Sequence, residues 1–126
     1  MYVCIAENFN TFYFNVNSLD SKFDALHTLL SNASLSMDAI AINETSELED
    51  QSFFTNMSLE GYELFKALTL SYKGGVALYM KNKFSSFEKV DLRAQTSDYE
   101  GMWVELKNFK SRNIVCGCVY KHQWWY

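Results

Sequence analysis

The chain has 126 residues, 48 % hydrophobic and 21 % charged, which is enough apolar material for one packed domain and excludes extensive disorder. Its net charge is −4 with scattered lysines and arginines, and no strongly basic nucleic-acid face is visible in the sequence. Contact with DNA or RNA then requires a metal ion or a further segment to supply much of the attraction. No secretion signal and no apolar run of membrane-spanning length is readable, and the expected setting is intracellular, nuclear or cytoplasmic.

Residues 1–9 read as a short N-terminal segment. Phe12-Tyr13-Phe14-Asn15-Val16 is rich in aromatic and β-branched residues and predicts a strand. From Ser18 to Ser31, Leu19, Phe23, Leu26 and Leu30 recur at helical spacing and build one apolar stripe. Ser21 with Asp24 resembles a capping box, with Ser18 as the alternative cap. His27 falls on the polar side of this helix, with no partner that argues for catalysis.

After a polar turn from Asn32 to Ser36, Ala39-Ile40-Ala41-Ile42 suits a strand buried on both faces. The strand–helix–strand order predicts a parallel pair joined by a right-handed crossover. The apolar run ends at Asn43-Glu44-Thr45, so a carboxylate stands where a central strand leaves the core. In open α/β sheets, ligands and metals collect at the carboxyl ends of strands. A second polar strand end, at Asn15, precedes it across one helix.

Thr45 to Glu60 reads as a solvated acidic loop carrying Glu47, Glu49 and Asp50, with a helical turn near Phe53. Beyond Gly61 the pattern is β-rich. Tyr62 to Phe65, Val76 to Met80 and Phe87 to Leu92 are predicted strands, with Lys73-Gly74-Gly75 as a turn. Met102 to Leu106 and Ile114 to Tyr120 predict a hairpin around the polar stretch Lys107 to Asn113. Cys116 and Cys118 fall on one face of the last strand and read as buried, reduced thiols. With Cys4 the only other cysteine, and His27 and His122 the only histidines, no zinc-site spacing exists. Asn32, Asn43 and Asn56 each open an Asn-x-Ser/Thr triplet, expected to be unused.

The order of these pieces resembles a known family. Phe14-Asn15-Val16-Asn17-Ser18-Leu19, Phe23-Asp24-Ala25-Leu26, the stretch Asp38 to Thr45, Gly61-Tyr62 and Gly74-Gly75-Val76-Ala77-Leu78-Tyr79 come first. Glu100-Gly101-Met102-Trp103-Val104-Glu105 and Gly117-Cys118-Val119-Tyr120 follow. Together they resemble the N-terminal half of the endonuclease/exonuclease/phosphatase superfamily. The closest likeness is to the endonuclease domain ahead of the reverse transcriptase in non-LTR (LINE-type) retrotransposons. Residues 10–126 are then expected to be a truncated domain of that type.

The resemblance implies an α/β (α+β) fold: a partial four-layer α/β/β/α sandwich, mainly its first sheet with one clear helix. It implies phosphodiester hydrolysis supported by Mg²⁺ or Mn²⁺, with DNA as the partner. A hard divalent cation takes oxygen ligands, and Glu44 matches the family's metal-binding glutamate. Asn15 matches the asparagine beside metal and scissile phosphate, although it serves equally as a helix cap or turn residue. Tyr120 matches a phosphate-contacting tyrosine, and is equally a half-buried aromatic ending a strand. Glu100 and Gly101 match a pair at a strand start with a structural role. Trp103 and the Trp124-Trp125-Tyr126 end read as packing residues.

The departures carry as much weight. Asn17 stands where some nuclease relatives have Asp. Lys121-His122-Gln123 stands where the family often has proline and asparagine after the tyrosine. His122 is not the family's catalytic histidine, which lies in the second half with the Asp-x-Asn motif and a later aspartate. The chain stops at Tyr126, before all of them. The expectation is a fragment that binds its metal weakly and is inactive alone. The alternatives are a non-catalytic protein-interaction module and a non-functional mobile-element relic. Half a sandwich also leaves one sheet face without a partner, so self-association through that face is expected.

Overall fold

The computed structural model describes residues 2–4, 9–16, 19–32, 37–45, 57–67, 69, 74–110 and 112–122. In chain order these form strands β1 (Tyr2–Cys4) and β2 (Thr11–Asn15), helix α1 (Leu19–Asn32), then β3 (Ala39–Asn43), β4 (Tyr62–Ala67) and β5 (Val76–Lys81). Strands β6 (Ser85–Glu88), β7 (Ala94–Gln95), β8 (Tyr99–Phe109) and β9 (Arg112–Lys121) complete the order.

The strands build two sheets. One is mixed, in the order β2-β3-β5-β4, with β2 and β3 parallel and β5 antiparallel to both of its neighbours. The other is antiparallel, in the order β1-β9-β8, and β6 and β7 share the far edge of β8. It is therefore four strands wide.

Alternation along the strands decides the layering. Ala39, Ala41, Val76, Leu78 and Met80 of the mixed sheet pack against Met102, Val104, Leu106, Ile114, Cys116 and Cys118 of the antiparallel sheet. The opposite face of the mixed sheet presents Ile40, Ile42, Ala77 and Tyr79 to Leu26 of α1 and to Val16, Met57 and Leu59. Strands β3 and β5 are thus covered on both sides, which explains why β3 reads as an unbroken apolar run rather than an alternating one. The tyrosine at the centre of β5 keeps its hydroxyl satisfied by donating to the Met57 carbonyl at 2.6 Å.

The predicted parallel pair is present, with Asn15 opposite Asn43 at its carboxyl end. The expectation of mainly one sheet gives way to two. The strands after residue 84 carry an apolar inward face of their own, and it buries against the mixed sheet within this chain. The antiparallel sheet also begins upstream of residue 10, because Val3 pairs with Gly117 and Cys4 with Cys116. The face left without a covering layer among the described residues is the outer face of the antiparallel sheet. Trp103 lies there across Gly101 and Gly117, where a Cβ would run into the indole. It is a packing residue, as expected.

Two local predictions are corrected. Phe87 to Leu92 is not one strand: β6 ends at Glu88, and Val90–Leu92 forms a 3-10 turn. Arg93 grips Glu88 with two hydrogen bonds, at 2.7 and 2.5 Å, and five extended residues would hold these two side chains about 16 Å apart. The predicted turn from Lys107 to Asn113 tightens instead to the tip of a longer hairpin, where Lys110 adopts φ 48°. The helical turn near Phe53, the acidic residues of that loop, Lys73, the Ser18 cap, the Asn56 triplet and the terminal tryptophans lie outside the described residues. So do the side chains of Cys4, Leu19, Ser21 and Leu30.

Candidate functional site

Two chain ends of the mixed sheet meet the end of the antiparallel hairpin at one rim. Asn15 is the last residue of β2, and Glu44 follows β3 directly. On either side of Glu44 the backbone is pinned: Val16 N–H donates to the Asn43 carbonyl at 3.2 Å, and Thr45 N–H to the Gly75 carbonyl at 3.3 Å. The residue between must turn sharply, and Glu44 takes φ 56° to do so. A non-glycine residue in the left-handed region costs about 1 kcal/mol or more and is enriched at functional sites.

The Asn15 amide donates to Glu44 Oε1 at 3.2 Å. The Tyr120 phenol, reaching across from β9, lies beside the same carboxylate, close enough to feel its charge. Burial first, and then the Glu44 charge, pushes the Tyr120 phenol above its ordinary value, so it remains a neutral donor. Asn15, Glu44 and Tyr120, distant in sequence, thus converge from three strands of two sheets.

The donor set bears on the implied metal. Among the described residues no group of three or more His, Cys, Asp or Glu side chains converges, so a closed nitrogen–sulfur cage does not fit. One partly exposed carboxylate beside a neutral amide fits Mg²⁺, which keeps most of its waters and takes one or two carboxylates plus phosphate oxygens. Glu44 is the residue that would hold it.

The family likeness gave Glu100 only a structural role at a strand start and did not connect it with His122 beneath this rim. Glu100 is only 2 % exposed. Its Oε2 accepts from His122 Nε2 at 3.1 Å, Gly75 N–H at 3.3 Å and the Thr69 hydroxyl at 3.4 Å, while its Oε1 is buried without a partner. Gly74 makes room for it: a Cβ there would overlap Glu100 Oε2 and Thr69 Oγ1. The signal that could have revealed this cluster is parity. Glu100 shares its face with Met102, Val104 and Leu106, and His122 shares its face with Tyr120, Cys118 and Cys116, so both polar groups point inward.

Deeper along β3, Asn43 donates to the Tyr13 hydroxyl and leaves its own Oδ1 buried without a partner. Asn43 is only 3 % exposed, so its Asn-x-Thr triplet offers no accessible amide. Cys118 donates to the Ile42 carbonyl at 3.5 Å, and burial pushes its thiol from 9.0 up to about 12. Since the folded value lies above the unfolded one, the thiol's contribution to stability is complete below about pH 9. It is lost as pH rises from there toward 12. Cys118 is therefore expected to resist an aromatic disulfide reagent at pH 8 until urea unfolds the chain, which a burst of absorbance at the unfolding midpoint would report.

No protein-family model and no curated protein matches this chain.

Proposed function

We propose that the rim formed by Asn15, Glu44 and Tyr120 is the first half of a divalent-metal phosphodiesterase site, of the DNA-endonuclease kind. Glu44 holds Mg²⁺ or Mn²⁺ there, and Asn15 and Tyr120 offer neutral donors to phosphate oxygens without adding competing negative charge. When bound, the ion supplies Lewis-acid polarisation of the phosphoryl group. The single observation that carries this reading is the convergence of Asn15 and Tyr120 on one carboxylate. The layering supports it as well. Among the described residues a helix, a mixed sheet and an antiparallel sheet stack in the order of the first three layers of an α/β/β/α sandwich.

Hydrolysis needs more than this rim supplies. Among the described residues, one carboxylate stands at the proposed metal position, and no group of three or more metal-ligating side chains converges there. The 126-residue polypeptide is therefore expected to leave supercoiled DNA un-nicked above background at millimolar Mg²⁺, while Mg²⁺ titration still perturbs the carboxyl carbon of Glu44 in ¹³C spectra. Robust nicking abolished by Glu44→Ala would refute the inactive-fragment proposal. A Glu44 resonance indifferent to Mg²⁺ would refute the metal assignment itself.

A second reading, a protein-interaction module, draws on the uncovered outer face of the antiparallel sheet, where Trp103, Val115 and Val119 remain partly accessible. Light scattering is expected to show concentration-dependent self-association that Val119→Lys weakens. A strictly monomeric wild-type chain would count against this second reading.

A further inference from the structure

We propose that Glu100 and His122 are a positioning pair that holds the Tyr120 hydroxyl on Glu44. The pair deepens the phosphodiesterase reading and rests on it for its chemical purpose, but the pose it sets is measurable without any metal.

A buried carboxylate needs a reason, because taking it out of water is costly unless its partners are well placed. The partners of Glu100 come from separate parts of the fold: the Gly74-Gly75 entry to β5, Thr69, and His122 just past β9. Glu100 and Tyr120 are directly opposed in the β8–β9 ladder. His122 is tied at its backbone as well, its N–H donating to the Asp98 carbonyl at 2.9 Å. Its ring stands edge-on to the Tyr120 ring, with centroids 5.2 Å apart and planes at 84°. That edge-on geometry is favourable for an aromatic pair and gives the phenol a wall on one side.

The connected chain is therefore Glu100 to His122, His122 to Tyr120, Tyr120 to Glu44, and Glu44 to Asn15. Glu100 anchors the imidazole, the imidazole walls the phenol, and the phenol meets the carboxylate. If Glu100 merely stapled the two sheets, the contact to Thr69 and Gly75 would suffice, and the ring orientation of His122 would be immaterial to Glu44.

The test reads Glu44 directly. In chain labelled at the glutamate carboxyl carbon, Tyr120→Phe removes the hydroxyl donor and moves the Glu44 resonance. His122→Ala is expected to move it in the same direction by most of that amount with Tyr120 intact. His122→Gln, which keeps an N–H for Glu100 and some bulk against the ring, should restore much of the wild-type position. The His122→Ala, Tyr120→Phe double variant should add little to either single change. Glu100→Gln serves as the second probe, and amide spectra confirm that each variant is folded. With Mg²⁺ present, dimethyl phosphate binding should fall about three- to ten-fold in His122→Ala, as expected when one hydrogen bond to the ligand is weakened rather than removed. A Glu44 resonance unmoved in folded His122→Ala overturns the positioning role. Absence of Mg²⁺ response in wild type, with the Glu44 shift still produced by His122→Ala, overturns the metal reading and leaves the positioning role standing.

Discussion

Gly74→Ala is expected to destabilise the fold by about 2–4 kcal/mol, read as a lowered urea midpoint with an unchanged slope. The new methyl would overlap Glu100 Oε2 and Thr69 Oγ1 and sit 3.0 Å from Glu100 Cδ. A carboxylate at the end of a flexible side chain ordinarily swings aside at small cost. Glu100 is enclosed, and moving it gives up its hydrogen bonds to Gly75, Thr69 and His122 together. A buried charge deprived of partners loses far more than one hydrogen bond is worth. Truncating the obstacle as well, in Gly74→Ala with Glu100→Ala, removes the overlap. The two costs should then fall short of additivity by about 1–2 kcal/mol. Full additivity would mean that the carboxylate is not held against Gly74. The neighbouring Gly75, at φ 96°, is sensitive for a separate reason, since its backbone lies in a region that a side chain disfavours.

Glu44→Ala and Glu44→Gly are expected to weaken Mg²⁺ binding alike, by at least about ten-fold, because each removes the carboxylate that the described residues place at the rim. Their stabilities should differ. Both lose the same contacts to Asn15 and Tyr120, but only glycine accepts φ 56° without strain, so Glu44→Gly should be the more stable of the two by about 1 kcal/mol. Calorimetric Mg²⁺ titration measures the first effect and thermal melts the second. Equal melting temperatures would show that the turn relaxes when the side chain is cut back. Undiminished Mg²⁺ binding in either variant would place the ion elsewhere.

The central strand was legible because its neighbours leave no polar face to disguise it. Ala39 to Ile42 has no alternation, and only a strand covered on both sides tolerates that pattern. The helix was legible from the spacing of Phe23 and Leu26, both of which turn toward the mixed sheet. Glu44 stood out because it ends the apolar run. The 3-10 turn at Val90–Leu92 was not legible, because the backbone bonds that close it and the Arg93–Glu88 contact beside it are polar features that an apolar pattern does not encode. The strand Tyr2–Cys4 was missed for a related reason: so short a run acquires its conformation from pairing with β9.

What the sequence determined by itself is the period of each segment, and with it which side chains share a face and where each run must stop. That follows from local backbone geometry, which any stretch of chain carries with it. Tertiary structure alone decided which rims coincide. Asn15, Glu44 and Tyr120 meet because two sheets stack with those ends together, and Glu100 becomes a buried anchor only when the Gly74-Gly75 turn closes over it. Such encounters depend on contacts between segments far apart in the chain, whose closeness no local pattern specifies.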